Sequence, residues 1–201
     1  MPEISAVKDS RAKAVRAFIA FKLPSDVMDL LQQIQSELKK EDLPIKWVRP
    51  DNIHLTLKFL GDVQPSELER IGAAMQAAVA PISPLTLCAR GLGVFPSVKR
   101  PRVLWCGIGG ELETLSRLHS GLDEALAELG IEKEARNFKG HLTLGRVKGK
   151  VDPDVMIEAL TQYGHMVSRA FVLRRLTLYQ SELKPTGPVY RELATASLQP
   201  G

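Results

Sequence analysis

Ile53-His54-Leu55-Thr56-Leu57-Lys58-Phe59-Leu60-Gly61 alternates apolar and polar residues until a glycine ends the run. In an extended chain residues i and i+2 point the same way. A strand over 53–60 therefore sends His54, Thr56 and Lys58 to one face and Ile53, Leu55, Leu57 and Phe59 to the other. The second set requires a core, whereas the first presents an imidazole, a hydroxyl and an ammonium. His141-Leu142-Thr143-Leu144-Gly145-Arg146-Val147 repeats the arrangement. There His141 and Thr143 share a face with Lys139 and Gly145, opposite Phe138, Leu142 and Leu144.

Working outward, each of these strands occupies the same place in a larger unit. A strand over 15–23 stops at Pro24, Ser25 is placed as a helix N-cap, and Val27, Leu30, Leu31, Ile34 and Leu38 recur at helical spacing. A polar, proline-containing stretch leads to His54; Pro65-Ser66-Glu67 then opens a helix to about residue 80, and a strand follows over 85–90. The order recurs with a strand over 102–108, a leucine-striped helix over 111–129, the strand 141–147, a helix after Asp152-Pro153, and a strand over 170–180. Phe18 stands 36 residues before His54, and Val103 stands 38 before His141. Pro65 follows His54 by 11, and Pro153 follows His141 by 12. Such agreement marks an internal duplication. Two copies of a β-α-β-α-β unit pack as similar lobes about a pseudo-twofold axis, which sets His54 and His141 facing each other across a cleft.

The chemistry these groups suit is transfer at phosphorus. Two histidines with ordinary pKa values near ~6.5 can hold opposite protonation states near neutrality, one as acid and one as base. Threonine hydroxyls one pleat away can donate to phosphoryl oxygens as charge builds on them. Zinc takes three or four His, Cys or carboxylate ligands, and neither motif offers an Asp, Glu or Cys on its histidine face, so no metal is expected. There is no Gly-x-Ser-x-Gly elbow, and Gly91, Gly93, Gly107, Gly109 and Gly110 form no Walker or dinucleotide fingerprint, so no cofactor is expected.

The bulk properties agree. With 201 residues, 44% hydrophobic and 25% charged, the chain is long enough for a real core and is not compositionally disordered. A net charge of +4 suits an anionic partner such as RNA or a nucleotide without requiring one. Cys88 and Cys106 lie in apolar runs and read as buried free thiols. No apolar stretch reaches the ~18 residues of a membrane span, and the first residues lack a secretory pattern. The expectation is a cytoplasmic monomer with a flexible tail over 1–14 and one bilobal domain over 15–201.

Paired His-x-Thr-x motifs about 90 residues apart resemble the two-histidine (2H) phosphoesterase superfamily. More narrowly, the chain resembles the bacterial and archaeal RNA 2′,3′-cyclic phosphodiesterases, also described as 2′-5′ RNA ligases. The likeness runs from about Val15 to Leu198. It is carried by Arg16-Ala17-Phe18-Ile19-Ala20, Trp47 through Gly61, Arg100 through Trp105, His141 through Val147, and Leu178 through Tyr190. The resemblance implies an α+β, bilobal fold with two antiparallel sheets flanking a central cleft and helices outside. It implies hydrolysis of 2′,3′-cyclic phosphate ends of RNA or nucleotides to 2′-phosphates without a metal. His54 would be the proton donor to the departing 3′ oxygen and His141 the proton acceptor that activates water, with Thr56 and Thr143 holding the phosphate. Ligation of 2′-5′ ends in the same cleft, or a non-catalytic RNA-binding module, are the alternatives. One departure is Gly140, where the family commonly has proline before the second histidine.

Three substrate-binding candidates complete the expectation. Arg146 is a phosphate or ribose contact by resemblance, yet strict alternation puts it opposite His141 unless a bulge near Gly145 turns it. Arg102, opening a strand after Lys99 and Arg100, either lines the cleft or is solvated. Phe138 either stacks on a base or packs in the core.

Overall fold

Apolar residues at strand and helix spacing organise the chain into thirteen principal elements. The computed structural model describes residues 13–185 and 187–199. In the first half these are β1 (Val15–Lys22), α1 (Ser25–Leu38), β2 (Ile45–Trp47), β3 (His54–Val63), α2 (Leu68–Val79) and β4 (Leu85–Phe95). The second half has β5 (Val103–Gly110), α3 (Leu112–Ala127), β6 (His141–Val147), α4 (Pro153–Tyr163), β7 (Phe171–Leu173), β8 (Arg175–Lys184) and β9 (Gly187–Ser197). The expected tail over 1–14 lies outside the described residues except for Lys13 and Ala14.

The helix starts follow local chemistry. Pro24, extended, stands at the cap of α1 in place of the expected Ser25, which is already helical. The Asp152 side chain accepts from the Asp154 N–H to cap α4, and Pro153 sits at the first helical position, where its missing N–H leaves nothing unpaired. Cys106 is buried, Cys88 half-buried, and both are free. Burial pushes the Cys106 thiol up to about 12. No helix among the described residues is long and apolar enough to cross a membrane.

The strands run β7-β4-β5-β6-β3-β1-β8-β9, all antiparallel, with β2 added to β6. This order exchanges one strand between the two halves. β4 leaves the first half to pair with β5, and β8 leaves the second to pair with β1. The strand expected over 170–180 is consequently split at Arg174: β7 pairs with β4, and β8 with β1. β9, absent from the expectation, completes the hairpin with β8.

The two halves of this nine-stranded antiparallel sheet meet where Leu55 stands opposite Leu142, which joins β3 to β6. Both leucines are fully buried. Because the strands are antiparallel, the join sets His54 on the same side as Thr143 and Thr56 on the same side as His141. The duplicated motifs are held together at this backbone pairing.

The duplication extends to the register itself. In β1–β3, Phe18 faces Phe59, Ile19 faces Lys58 and Ala20 faces Thr56, with Leu57 skipped. In β5–β6, Val103 faces Arg146, Leu104 faces Gly145 and Trp105 faces Thr143, with Leu144 skipped. Equivalent β-bulges thus stand at Leu57 and Leu144. A bulge inserts one unpaired residue and reverses the alternation beyond it. Leu57 and Lys58 both turn toward the helices and are buried, while Phe59 emerges on the other side at 62% exposure. The simple alternation that put Lys58 beside His54 and Phe59 in the core is corrected by this one residue.

Candidate active site

A cavity of about 620 Å³ opens along the join and is lined by His54, Thr56, His141 and Thr143 together. Each histidine is fixed in the same way. Its Nδ1–H donates to the carbonyl two residues upstream, at 2.8 Å to Asn52 O for His54 and 2.8 Å to Lys139 O for His141. A carbonyl can only accept, so Nδ1 carries the proton and Nε2 remains for chemistry.

Aromatic rings hold both imidazoles from the sides. His54 stacks on Phe18 at 4.7 Å between centroids and meets the Tyr190 edge at 5.3 Å. His141 lies edge-on to Phe95 at 5.0 Å and to Trp105 at 6.5 Å. The Lys139 ammonium sits 4.6 Å above the Trp105 ring. Burial lowers the His54 pKa to about 4, against the opposing Asn52 hydrogen bond and with a further push from His141. Burial also lowers His141, where the Lys139 carbonyl opposes the shift and the Lys139 charge adds to it. In the free protein both rings are therefore neutral at pH 7. Among the described residues, no group of three or more His, Cys, Asp or Glu is placed to hold a metal ion.

The match to known proteins follows the same division of the chain. The family model for LigT like Phosphoesterase matches residues 21–105 and 109–190, two stretches that coincide with the two halves. The chain belongs to the LigT-like phosphoesterases. An RNA 2′,3′-cyclic phosphodiesterase of Methanothermobacter thermautotrophicus is 36% identical over 179 residues, covering 89% of this chain and 96% of that one. The Aquifex aeolicus protein of the same name is 34% identical, with 89% and 94% covered. A solved structure from Thermus thermophilus superimposes with a TM-score of 0.76 at 30% identity, covering 92% of this chain and 98% of that one. Escherichia coli LigT in complex with 3′-AMP gives 0.71 at 25% identity, with 93% and 99% covered.

Of the other residues expected in this phosphoesterase site, Arg146 alone lines the cavity. The bulge at Leu144 turns it there, against simple alternation. Gly145 makes the bulge compatible with β2, since a Cβ there would come within 2.4 Å of Ile45 Cγ2. Phe138 does not join them: its ring stacks on His119 at 4.2 Å and packs against the core. Arg102 does not line the cavity either. It is exposed at the head of β5, where its backbone N–H donates to Phe95 O and its carbonyl accepts from Val147 N. Sequence reasoning missed Arg16, Lys46, Phe59, Lys148 and Tyr190, all of which line the cavity. Arg16, Phe59 and Tyr190 fall in segments that carry the family resemblance; Lys46 and Lys148 depend on the β2–β6 pairing, which no local pattern announces.

The bulge that aims Arg146 is anchored from α1. Buried Gln35 donates through Nε2 to Leu144 O and to Val48 O, each at 2.8 Å. Gln35→Leu removes both bonds and leaves buried carbonyls short of a donor. It is expected to lower stability by about 1–3 kcal/mol, measured by urea denaturation, and to raise KM more than it lowers kcat.

Proposed function

We propose that this phosphoesterase hydrolyses 2′,3′-cyclic phosphate ends of RNA or nucleotides to 2′-phosphates by two-histidine acid–base catalysis. The observation that carries the reading is the pair of equivalent His-x-Thr strands, whose histidines both keep Nε2 free beside one cavity. The names of the Methanothermobacter and Aquifex relatives support the substrate class.

In this reading a water oxygen attacks phosphorus in line with the P–O3′ bond. His141 Nε2 takes the water proton as the new P–O bond forms. His54 Nε2–H protonates O3′ as the P–O3′ bond breaks, leaving a 2′-phosphate and a free 3′ hydroxyl. Thr56 and Thr143 donate to the non-bridging oxygens, and Arg146 compensates their charge. Phe59, exposed in the cleft beside Phe18, offers a face for the nucleobase. An anionic phosphodiester favours a protonated histidine, which supplies the acid that the free protein lacks at neutral pH.

The test is incubation with a nucleoside 2′,3′-cyclic monophosphate and with an oligoribonucleotide carrying that end, both with EDTA present. Phosphorus and proton NMR should show a 2′-phosphate as the product. No product from either substrate would refute the activity, and a strict requirement for added metal would refute the mechanism.

A further inference from the structure

In the β2–β6 pairing Lys46 stands directly opposite Arg146. Like charges directly opposed on a sheet are destabilising, and β2 is only three residues long. Lys148, two residues beyond Arg146, faces the same cavity. Arg16, Lys46, Arg49, Arg146 and Lys148 line this cavity without a single Asp or Glu. Among the described residues, the ion pairs formed do not involve Arg16, Lys46, Arg146 or Lys148. The adjoining smaller cavity beyond His54 is mixed in charge, with Asp51 and Glu192 beside Lys22 and Arg49. An anionic chain leaving the histidines is thus drawn toward β2, the side that is cationic throughout.

Spacing separates Lys148 from the reacting phosphate. At about 3.3 Å per residue, Lys148 lies on the order of 15 Å along the chain from Thr143, too far to share the phosphate that Thr143 holds. We propose that Lys46 and Lys148 hold the phosphodiester one nucleotide 5′ of the cyclic end, so that an RNA strand end is preferred over a cyclic mononucleotide. This rests on the reaction proposed at His54 and His141. Lys46 and Lys148 specify the strand and take no part in the bond changes.

The experiment compares kcat/KM for a nucleoside 2′,3′-cyclic monophosphate and for a short oligoribonucleotide with that end, in the wild type and in Lys46→Gln/Lys148→Gln. The wild type is expected to favour the oligonucleotide. The double variant should lose roughly tenfold on it and much less on the mononucleotide. Its plot of log kcat/KM against log salt should be shallower by about 0.7, the change expected for one lost phosphate contact on a single strand. Equal losses on the two substrates, or none on the oligonucleotide, would overturn the proposal. So would a loss confined to competition by adenosine 5′-triphosphate, which would assign the lysines to a polyphosphate tail. Fluorescence anisotropy with a 2′-phosphorylated oligoribonucleotide separates this inference from the reaction. If neither cyclic substrate turns over, the reaction falls, yet a shallower salt slope in the double variant still supports the strand site, and an unchanged slope overturns it.

Discussion

His54→Ala and His141→Ala are each expected to lower kcat on a 2′,3′-cyclic phosphate by roughly 10²–10⁴-fold, while the 2′-phosphate product still binds. Binding persists because Thr56, Thr143 and Arg146 line the same cavity and remain in place. The double variant should be little worse than either single one, because an acid and a base that act in one step fail together. Circular dichroism would confirm that the variants fold. Unchanged hydrolysis in either single variant would sink the catalytic assignment.

The pH dependence adds a sharper test of the same residues. Burial holds His54 near 4 and His141 below its ordinary value in the free protein. As pH rises through and above this range, fewer free molecules carry the proton that must reach O3′, so kcat/KM should fall on the alkaline side with a midpoint below about 6.5. In the complex the phosphodiester charge favours the imidazolium, so kcat should hold to a higher pH than kcat/KM. Stability moves the other way at acid pH. The unfolded chain takes up a proton at His54 as pH falls through about 6.5, while the folded chain resists it down to about 4. Stability should therefore decline across that window and less steeply in His54→Ala.

The site was legible where the sequence repeats and obscure where one residue changes the register. His54, Thr56, His141 and Thr143 could be placed because two matched strands needed the same core face, and the cavity does gather all four. Arg146 could not, because alternation pointed it into the core. Its actual direction depends on the bulge at Leu144, held by Gln35, which is 109 residues distant in the chain. The same device misled the reading of Lys58 and Phe59. Phe138 is near His141 in sequence, but its ring packs against the core and stacks on His119 instead. β2 escaped notice as three residues between prolines, and β9 because its mixed burial pattern lacks a clean alternation.

Lys58, turned inward by its bulge, leads to the second large effect: Asp123→Ala is expected to destabilise the protein by about 3–5 kcal/mol. Lys58 is 3% exposed and donates to Asp123 Oδ1 and, at 2.6 Å, to Glu132 O. Asp123 Oδ2 in turn accepts from Glu134 N at 3.2 Å. The pair fastens β3 to α3 and to the chain leading back toward Phe138. Burial pushes the Asp123 carboxyl up, but the Lys58 hydrogen bond and charge outweigh it and hold the group below its ordinary value. Its contribution is therefore present above the ordinary carboxylate range and is lost as pH falls through the lowered value. Removing the carboxylate leaves a buried ammonium with one carbonyl for company, which is why the single variant suffers. Lys58→Met/Asp123→Leu removes both charges together and should recover most of the loss, as read from urea denaturation midpoints at pH 7. Because Lys58 fixes the bulge that presents Phe59, Asp123→Ala should also weaken binding of a nucleotide with its base on that ring. A double variant as unstable as the single one would show that the helix α3 contact, rather than the buried charge, carries the energy.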